Sequence, residues 1–218
     1  MCYYISIIKS KVELEMRFDV KLPDNISPKY KISAFDKEPK ILSILNESPD
    51  RADFYLWGLI PRWIKNQKDA EKIRLKTVNA RAETIFEKVS YKESILKRRA
   101  LIIADGFFEW HDENGIKIPY HIKFKDGRAF AMAAIWDEWK NPANGKTIKS
   151  LSLLTYKANS LLSEIHNTKK RMPIILPEEI EKEWIRENLS PQDIKNYFKV
   201  YEYKDLTAYP VSKSDFIK

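Results

Sequence analysis

A short apolar run from Tyr3 to Ile8 predicts a strand almost at the start of the chain, and the spacing from Val12 to Phe18 predicts a short helix behind it. Further strand-like runs occupy Lys29 to Phe35, Lys40 to Leu45 and Asp53 to Ile60, punctuated by Pro, Asp and Ser clusters. Lys68 to Leu96 is mostly helical in composition. Leu101 to Ala104 and Phe107 to His111 return to strand character. Two hairpin signals follow, Asn114-Gly115 and then Asp126-Gly127 between Tyr120–Phe124 and Ala129–Ala134. Beyond a polar loop with Asn144-Gly145, Ser150 to Thr155 resumes the sheet. Ala158, Leu161, Leu162 and Ile165 mark one buried face of a helix ending near His166. Met172 to Leu176 is strand-like, Pro177 opens a helix carrying Ile180 and Trp184, and Pro191 begins a last helix before an extended tail. With no repeat, low-complexity tract or linker, residues 1–218 read as one α+β domain: a mainly antiparallel, barrel-like β core flanked by helices.

Bulk properties narrow the functional classes. Hydrophobic residues make up 44% and aromatics 12%, enough bulky side-chain area for a sizeable core. No stretch reaches the roughly 20 apolar residues that span a bilayer, and no secretory leader pattern opens the chain, so a soluble cytoplasmic protein is expected; a monomer is the expected state. One cysteine excludes an internal disulfide and a multi-cysteine zinc site, and no metal or cofactor is called for. The formal charge of +8 is concentrated: Pro61 to Ala100 holds twelve Lys or Arg against five acids. That excess suits a polyanion, since neutralising phosphates releases counterions; a solvated lysine-rich face is equally compatible with composition alone.

Cys2 is the first candidate for chemistry. If Met1 is removed, one residue carries both an amine and a thiol, so an aldehyde captured as an imine can be closed by sulfur into a five-membered thiazolidine. The amine has an ordinary pKa of about 7.7–8.0 and the thiol about 8.5, so both start near their reactive range. A small buried hydrophobe at a strand start is the alternative. Glu109 interrupts a run suited to burial, where a carboxyl needs a partner or a raised pKa and could move protons to a carbinolamine; an outward-facing strand position is the alternative. His166 closes a helix whose dipole would favour its protonated form, either for acid–base work or as a simple cap. Asn79 would cap a helix beginning near Arg81 or orient residue 2. Trp63 could stack on bases or belong to the core, and Lys169-Lys170-Arg171 could add phosphate contacts or be solvated. His111 and His121 read as exposed strand residues without a role.

Together, Cys2, Trp57-Gly58-Leu59-Ile60-Pro61-Arg62-Trp63, Asn79-Ala80-Arg81-Ala82-Glu83-Thr84, Ala104-Asp105-Gly106-Phe107-Phe108-Glu109-Trp110 and Ile165-His166-Asn167-Thr168-Lys169-Lys170-Arg171-Met172-Pro173 resemble the abasic-site processing proteins, also called the SOS response-associated peptidase family. The resemblance spans nearly the whole chain. It implies that Met1 is released, in part by the protein's own site, and that Cys2 captures the ring-opened aldehyde of an abasic site in single-stranded DNA as a thiazolidine crosslink. It further implies that Asn79 positions Cys2, Glu109 shuttles protons and His166 assists ring opening and reversal, with weak lyase activity from imines that fail to cyclise. Arg81 and Lys88 would hold phosphates, Trp63 would stand where the strand is bent, and Thr155 and Arg171 would add DNA contacts. Two departures stand out: Tyr3 and Tyr4 replace the family's usual Gly and Arg, and Tyr30 to Phe35 lacks its Asn and Ala-Pro pair. A cysteine peptidase acting on other peptides, or a non-covalent single-strand binding module, are the competing readings.

Overall fold

The computed structural model describes residues 2–216. In chain order the strands are β1 (Tyr4–Ile7), β2 (Lys29–Ser33), β3 (Lys40–Leu45), β4 (Ser48–Trp57), β5 (Asn79–Arg81), β6 (Arg99–Ala104), β7 (Gly106–Glu113), β8 (Ile116–Phe124), β9 (Phe130–Lys140), β10 (Thr147–Lys157), β11 (Arg171–Pro173) and β12 (Leu206–Pro210). The helices are α1 (Lys11–Phe18), α2 (Gln67–Lys76), α3 (Lys92–Lys97), α4 (Ser160–Ile165), α5 (Glu178–Trp184) and α6 (Pro191–Asn196). Strands β10, β4, β3, β6 and β9 pair in that order, and β9 pairs back onto β10, closing a five-stranded barrel. A second, antiparallel sheet runs β12-β8-β7-β1-β2. The α+β, barrel-cored, mainly antiparallel architecture read from the chain is therefore the one observed; β10 supplies the exceptions, pairing in parallel with β4 and β5.

One continuous apolar cluster extends from Cys2 to Leu206, and its barrel interior is filled by near-complete apolar runs such as Ala100–Ala104 and Ala129–Ile135. Strands buried on both faces lose the polar alternation that half-exposed strands keep. Local chemistry sets the helix starts. Ser10 and Glu13 form a reciprocal capping box on α1, Ser190 and Asp193 form another on α6 with Pro191 in its first turn, and Asn66 and Asn159 cap α2 and α4.

Three expectations are corrected. Lys68 to Leu96 is not one helical stretch: α2 stops at Lys76, where Thr77 Oγ1 donates to the Leu59 carbonyl at 2.6 Å, and Val78 and Ala80 are buried as the chain turns into β5. Burying that pair against β10 outweighs helix propensity, so Asn79 lies on a strand and caps nothing. Asn114-Gly115 does turn β7 into β8, both residues holding positive φ (52° and 87°), whereas Asp126-Gly127 does not join a hairpin: it carries the chain from β8 in the antiparallel sheet to β9 in the barrel. His121 is buried rather than exposed, its ring stacked on Phe108 at 4.4 Å.

Candidate active site

The barrel and the antiparallel sheet meet where the N-terminal strand lies along β7. Register Tyr4↔Phe108 and Ile5↔Phe107 draws the residues preceding β1 alongside Glu109. Cys2 is fully buried; its thiol donates to the Tyr4 carbonyl at 3.5 Å, and its own carbonyl accepts from Asn79 Nδ2 at 2.9 Å. Asn79 reaches it because β5 is locked to β10 at Leu153↔Asn79, while its backbone carbonyl accepts from the Tyr91 hydroxyl at 3.3 Å. A short strand attached to the barrel through β10 thus holds the residue that leads into the other sheet.

Glu109 is 2% exposed, and its carboxyl is pushed up to about 7, chiefly by burial. Burial, then the neighbouring Glu109, drive the Cys2 thiol upward as well, so the thiol is held protonated. His166 follows α4, its Nδ1 lying 2.8 Å from the Arg171 carbonyl and 3.7 Å from Glu109 Oε2. A carbonyl can only accept, so Nδ1 carries the proton and Nε2 is the basic nitrogen. Burial pushes the ring down to about 4, which corrects the expectation that the helix dipole would charge it: a six-residue helix cannot offset desolvation of an imidazolium. Near neutral pH the site therefore holds a titrating carboxyl, a neutral imidazole and a protonated thiol within one buried cluster.

The remaining predicted residues divide by exposure. Trp63 stands half out in the loop after Pro61, and Arg81 and Lys88 are exposed. Thr155 and Arg171 are interior. The Thr155 hydroxyl accepts from Arg171 Nη2 at 3.2 Å, and the Arg171 guanidinium is spent on a bidentate pair with Glu83 (2.8 and 2.9 Å) and on the Thr155 carbonyl. Only Lys169 and Lys170 of that basic run face outward. Burying a guanidinium demands such a partner, and Glu83 next to Arg81 provides it.

A second buried constellation escaped the reading of the chain. Ser6 Oγ donates to Asp105 Oδ1 at 2.8 Å and sits 3.1 Å from His121 Nε2, while His121 Nδ1 lies 2.7 Å from the Tyr209 hydroxyl. The other Asp105 oxygen accepts from the Ile8 and Lys9 amides. This network ties β1 to β7, β8 and β12, and it explains Gly106: a Cβ there would sit 2.2 Å from His121 Nε2 and 2.6 Å from Ser6 Oγ. An aspartate set before glycine in an apolar run was the available signal. Beside Cys2, an aromatic cluster joins Tyr3 to Phe35 at 5.0 Å and Tyr4 to Trp110 at 5.1 Å. Among the described residues no group of acidic, histidine or cysteine side chains is arranged to hold a metal, and no helix is long and apolar enough to cross a membrane. Met1, whose release the resemblance implies, lies outside the described residues.

Known proteins are similar to this chain over most of its length. The abasic site processing protein YoqW of Bacillus subtilis is 37% identical over 202 residues, covering 91% of this chain and 85% of its own. The abasic site processing protein YoaM of the same organism is 34% identical over 218 residues, covering 97% and 91%. A crystal structure of a protein from Bacteroides thetaiotaomicron superposes with a TM-score of 0.92 at 35% identity, covering 99% of this chain and 94% of that one. With the family model for the SOS response associated peptidases (SRAP) matching residues 1–214, the chain belongs to that family.

Proposed function

We propose that the protein processes abasic sites by forming a covalent crosslink between Cys2 and the ring-opened sugar in single-stranded DNA. The observation that carries this reading is the burial of Glu109, with a carboxyl at about 7, against a Cys2 whose carbonyl is held by Asn79. A carboxyl half-ionised near neutral pH can both give and take a proton in one cycle. The names of the relatives from Bacillus subtilis support abasic sites as the target.

In this mechanism, release of Met1 by hydrolysis frees the Cys2 amine. Neutral His166, basic at Nε2, takes the hydroxyl proton of the sugar hemiacetal and hands it to the ring oxygen as the C–O ring bond breaks, so an aldehyde appears. The amine adds to that carbonyl to give a carbinolamine. Glu109 protonates the departing hydroxyl, water leaves, and an imine forms. Cys2 sulfur then adds to the imine carbon as its proton passes to nitrogen, closing the thiazolidine with no oxidant or reductant. An imine that does not close is open to β-elimination, which would give weak lyase activity. Arg81 and Lys88, both exposed, are assigned to phosphates, and Trp63 to a base beside the lesion.

A general cysteine peptidase would need a thiolate paired with an imidazole. Here burial raises the thiol and its proton is directed at the Tyr4 carbonyl, which favours the aldehyde chemistry. The test is a denaturing gel of the protein with single-stranded DNA containing one abasic site. A band surviving denaturation is expected for the parent chain and not for Cys2→Ala; an undiminished adduct in that variant would refute the assignment.

A further inference from the structure

Away from the buried cluster, the barrel has an imperfect seam. Strands β4 and β10 run parallel but pair only at Leu56↔Ser150 and Trp57↔Leu151. Ahead of those pairs the strands flank an open groove of about 710 Å³, with Phe54 and Tyr55 on one side and Thr147 and Ile148 on the other. Helix α2 forms a flank through Ala70 and Leu75, the latter about half exposed. This volume falls within the roughly 300–1,000 Å³ typical of ligand clefts. Neither Cys2, Glu109 nor His166 lines it.

The chemistry of the walls selects an occupant. The apolar lining mixes Leu56, Ile60 and Ile148 with Phe54, Tyr55 and the fully buried Trp139, a surface on which inserted apolar side chains can be covered. The rim is cationic: Lys37, Lys40 and Lys146 make no ion pair among the described residues, whereas Lys149 is already engaged by Glu47. Glu38 and Glu71 are the carboxylates in the lining. A wedge between two diverging strands accepts an extended backbone, with alternate side chains reaching the floor and the others the rim.

We propose that this seam is a docking groove for an extended, acidic peptide segment with apolar anchors, supplied by a partner protein. The groove is independent of the lesion chemistry, so its occupation and adduct formation are separable.

The probe is a fluorescein-labelled nonapeptide alternating aspartate with phenylalanine and isoleucine, followed by fluorescence anisotropy against the full chain. Saturable binding with a Kd of about 10–100 µM is expected, as befits a short groove with few anchors. Lys40→Glu combined with Lys146→Glu should weaken it at least about tenfold, and so should Leu75→Asp on the exposed face of α2, with both variants keeping their circular dichroism and adduct formation at the parental level. No saturation below about 1 mM would overturn the proposal. So would equal binding of a peptide with lysine in place of aspartate, or parental affinity in both variants. Competitive displacement of the peptide by an unmodified oligothymidylate, with the same variants losing DNA affinity, would reassign the groove to nucleic acid and overturn it equally.

Discussion

At the scale of single residues, the site is governed by what burial does to charge. Glu109 is a carboxyl raised to about 7, so its ionisation disfavours the folded state: the stability it preserves is complete below its ordinary value of about 4.5 and is lost as pH rises through 7. Glu109→Gln removes that cost. Its melting temperature should exceed the parent's more at pH 8 than at pH 5, a difference approaching about 3 kcal/mol in unfolding free energy. Equal offsets at both pH values in a thermal scan would mean that the carboxyl is not held near 7. The same variant should lose crosslinking rate by a factor of about 10²–10⁴, the usual worth of a positioned acid–base group. In single-turnover measurements the parent's rate should change ionisation-dependently near pH 7, and the variant should lack that inflection while binding abasic DNA with unchanged affinity. His121 and His166 act in the opposite sense. Both are pushed down to about 4, so the stability conferred by their neutral forms is present above about 6.5 and is lost as pH falls through 4.

At the scale of elements, the N-terminal strand is held by polar contacts as much as by its pleat. Ser6, Asp105 and His121 are all nearly fully buried, and Asp105 satisfies a hydroxyl and two amides at the end of β1. Asp105→Ala would leave those donors unpaired, so a loss of about 2–4 kcal/mol is expected by chemical denaturation, and β1 should loosen before the barrel does. Hydrogen exchange reads the order directly: protection of Ile8 and Lys9 should fall more than that of Leu101 and Ile102, and a uniform loss would contradict a local clamp. Gly106→Ala should be worse still, because the added carbon meets a histidine ring and a hydroxyl fixed by their own partners. These elements also show where sequence pattern carries structural information. The β7–β8 turn was legible because Asn-Gly has a local conformational meaning. Helix starts were legible for a similar reason, through Pro at the first turn of α6. The fate of Asn79 was not, since β5 exists only because β10 is beside it. The burial of His121 was not legible either, because alternation cannot reveal that the rings of Phe108, Tyr30 and Tyr209 pack around it. The candidate site residues were legible through their motifs, but their meeting depends on two sheets converging, which no spacing along the chain encodes.

At the scale of the whole molecule, net charge overstates what is offered to DNA. Of the twelve cations between Pro61 and Ala100, Arg74, Arg98 and Arg99 are turned to internal work. Arg99 alone donates to the carbonyls of Ile95, Leu96, Trp184 and Arg186, fastening α3 and α5 to the barrel. Arg171, outside that stretch, is likewise committed to Glu83, so under the proposed function it would act on DNA only through the placement of the Arg81 segment. Phosphate binding should then rest on exposed residues such as Arg81 and Lys88, and its signature is ionic. For Cys2→Ala chain, which cannot crosslink, the logarithm of single-strand affinity should fall linearly with the logarithm of salt concentration. Removing one phosphate contact should flatten that slope by about 0.7. Arg81→Ala and Lys88→Ala are each expected to do so, whereas Lys40→Glu, on the rim of the seam, should leave the slope unchanged. Arg171→Ala should weaken binding and also lower the melting temperature, because it strands Glu83 beside a partly covered wall. If Arg171→Ala flattened the slope without loss of thermal stability, its guanidinium would have to leave Glu83 for a phosphate, and the division between interior and DNA-facing cations would have to be redrawn.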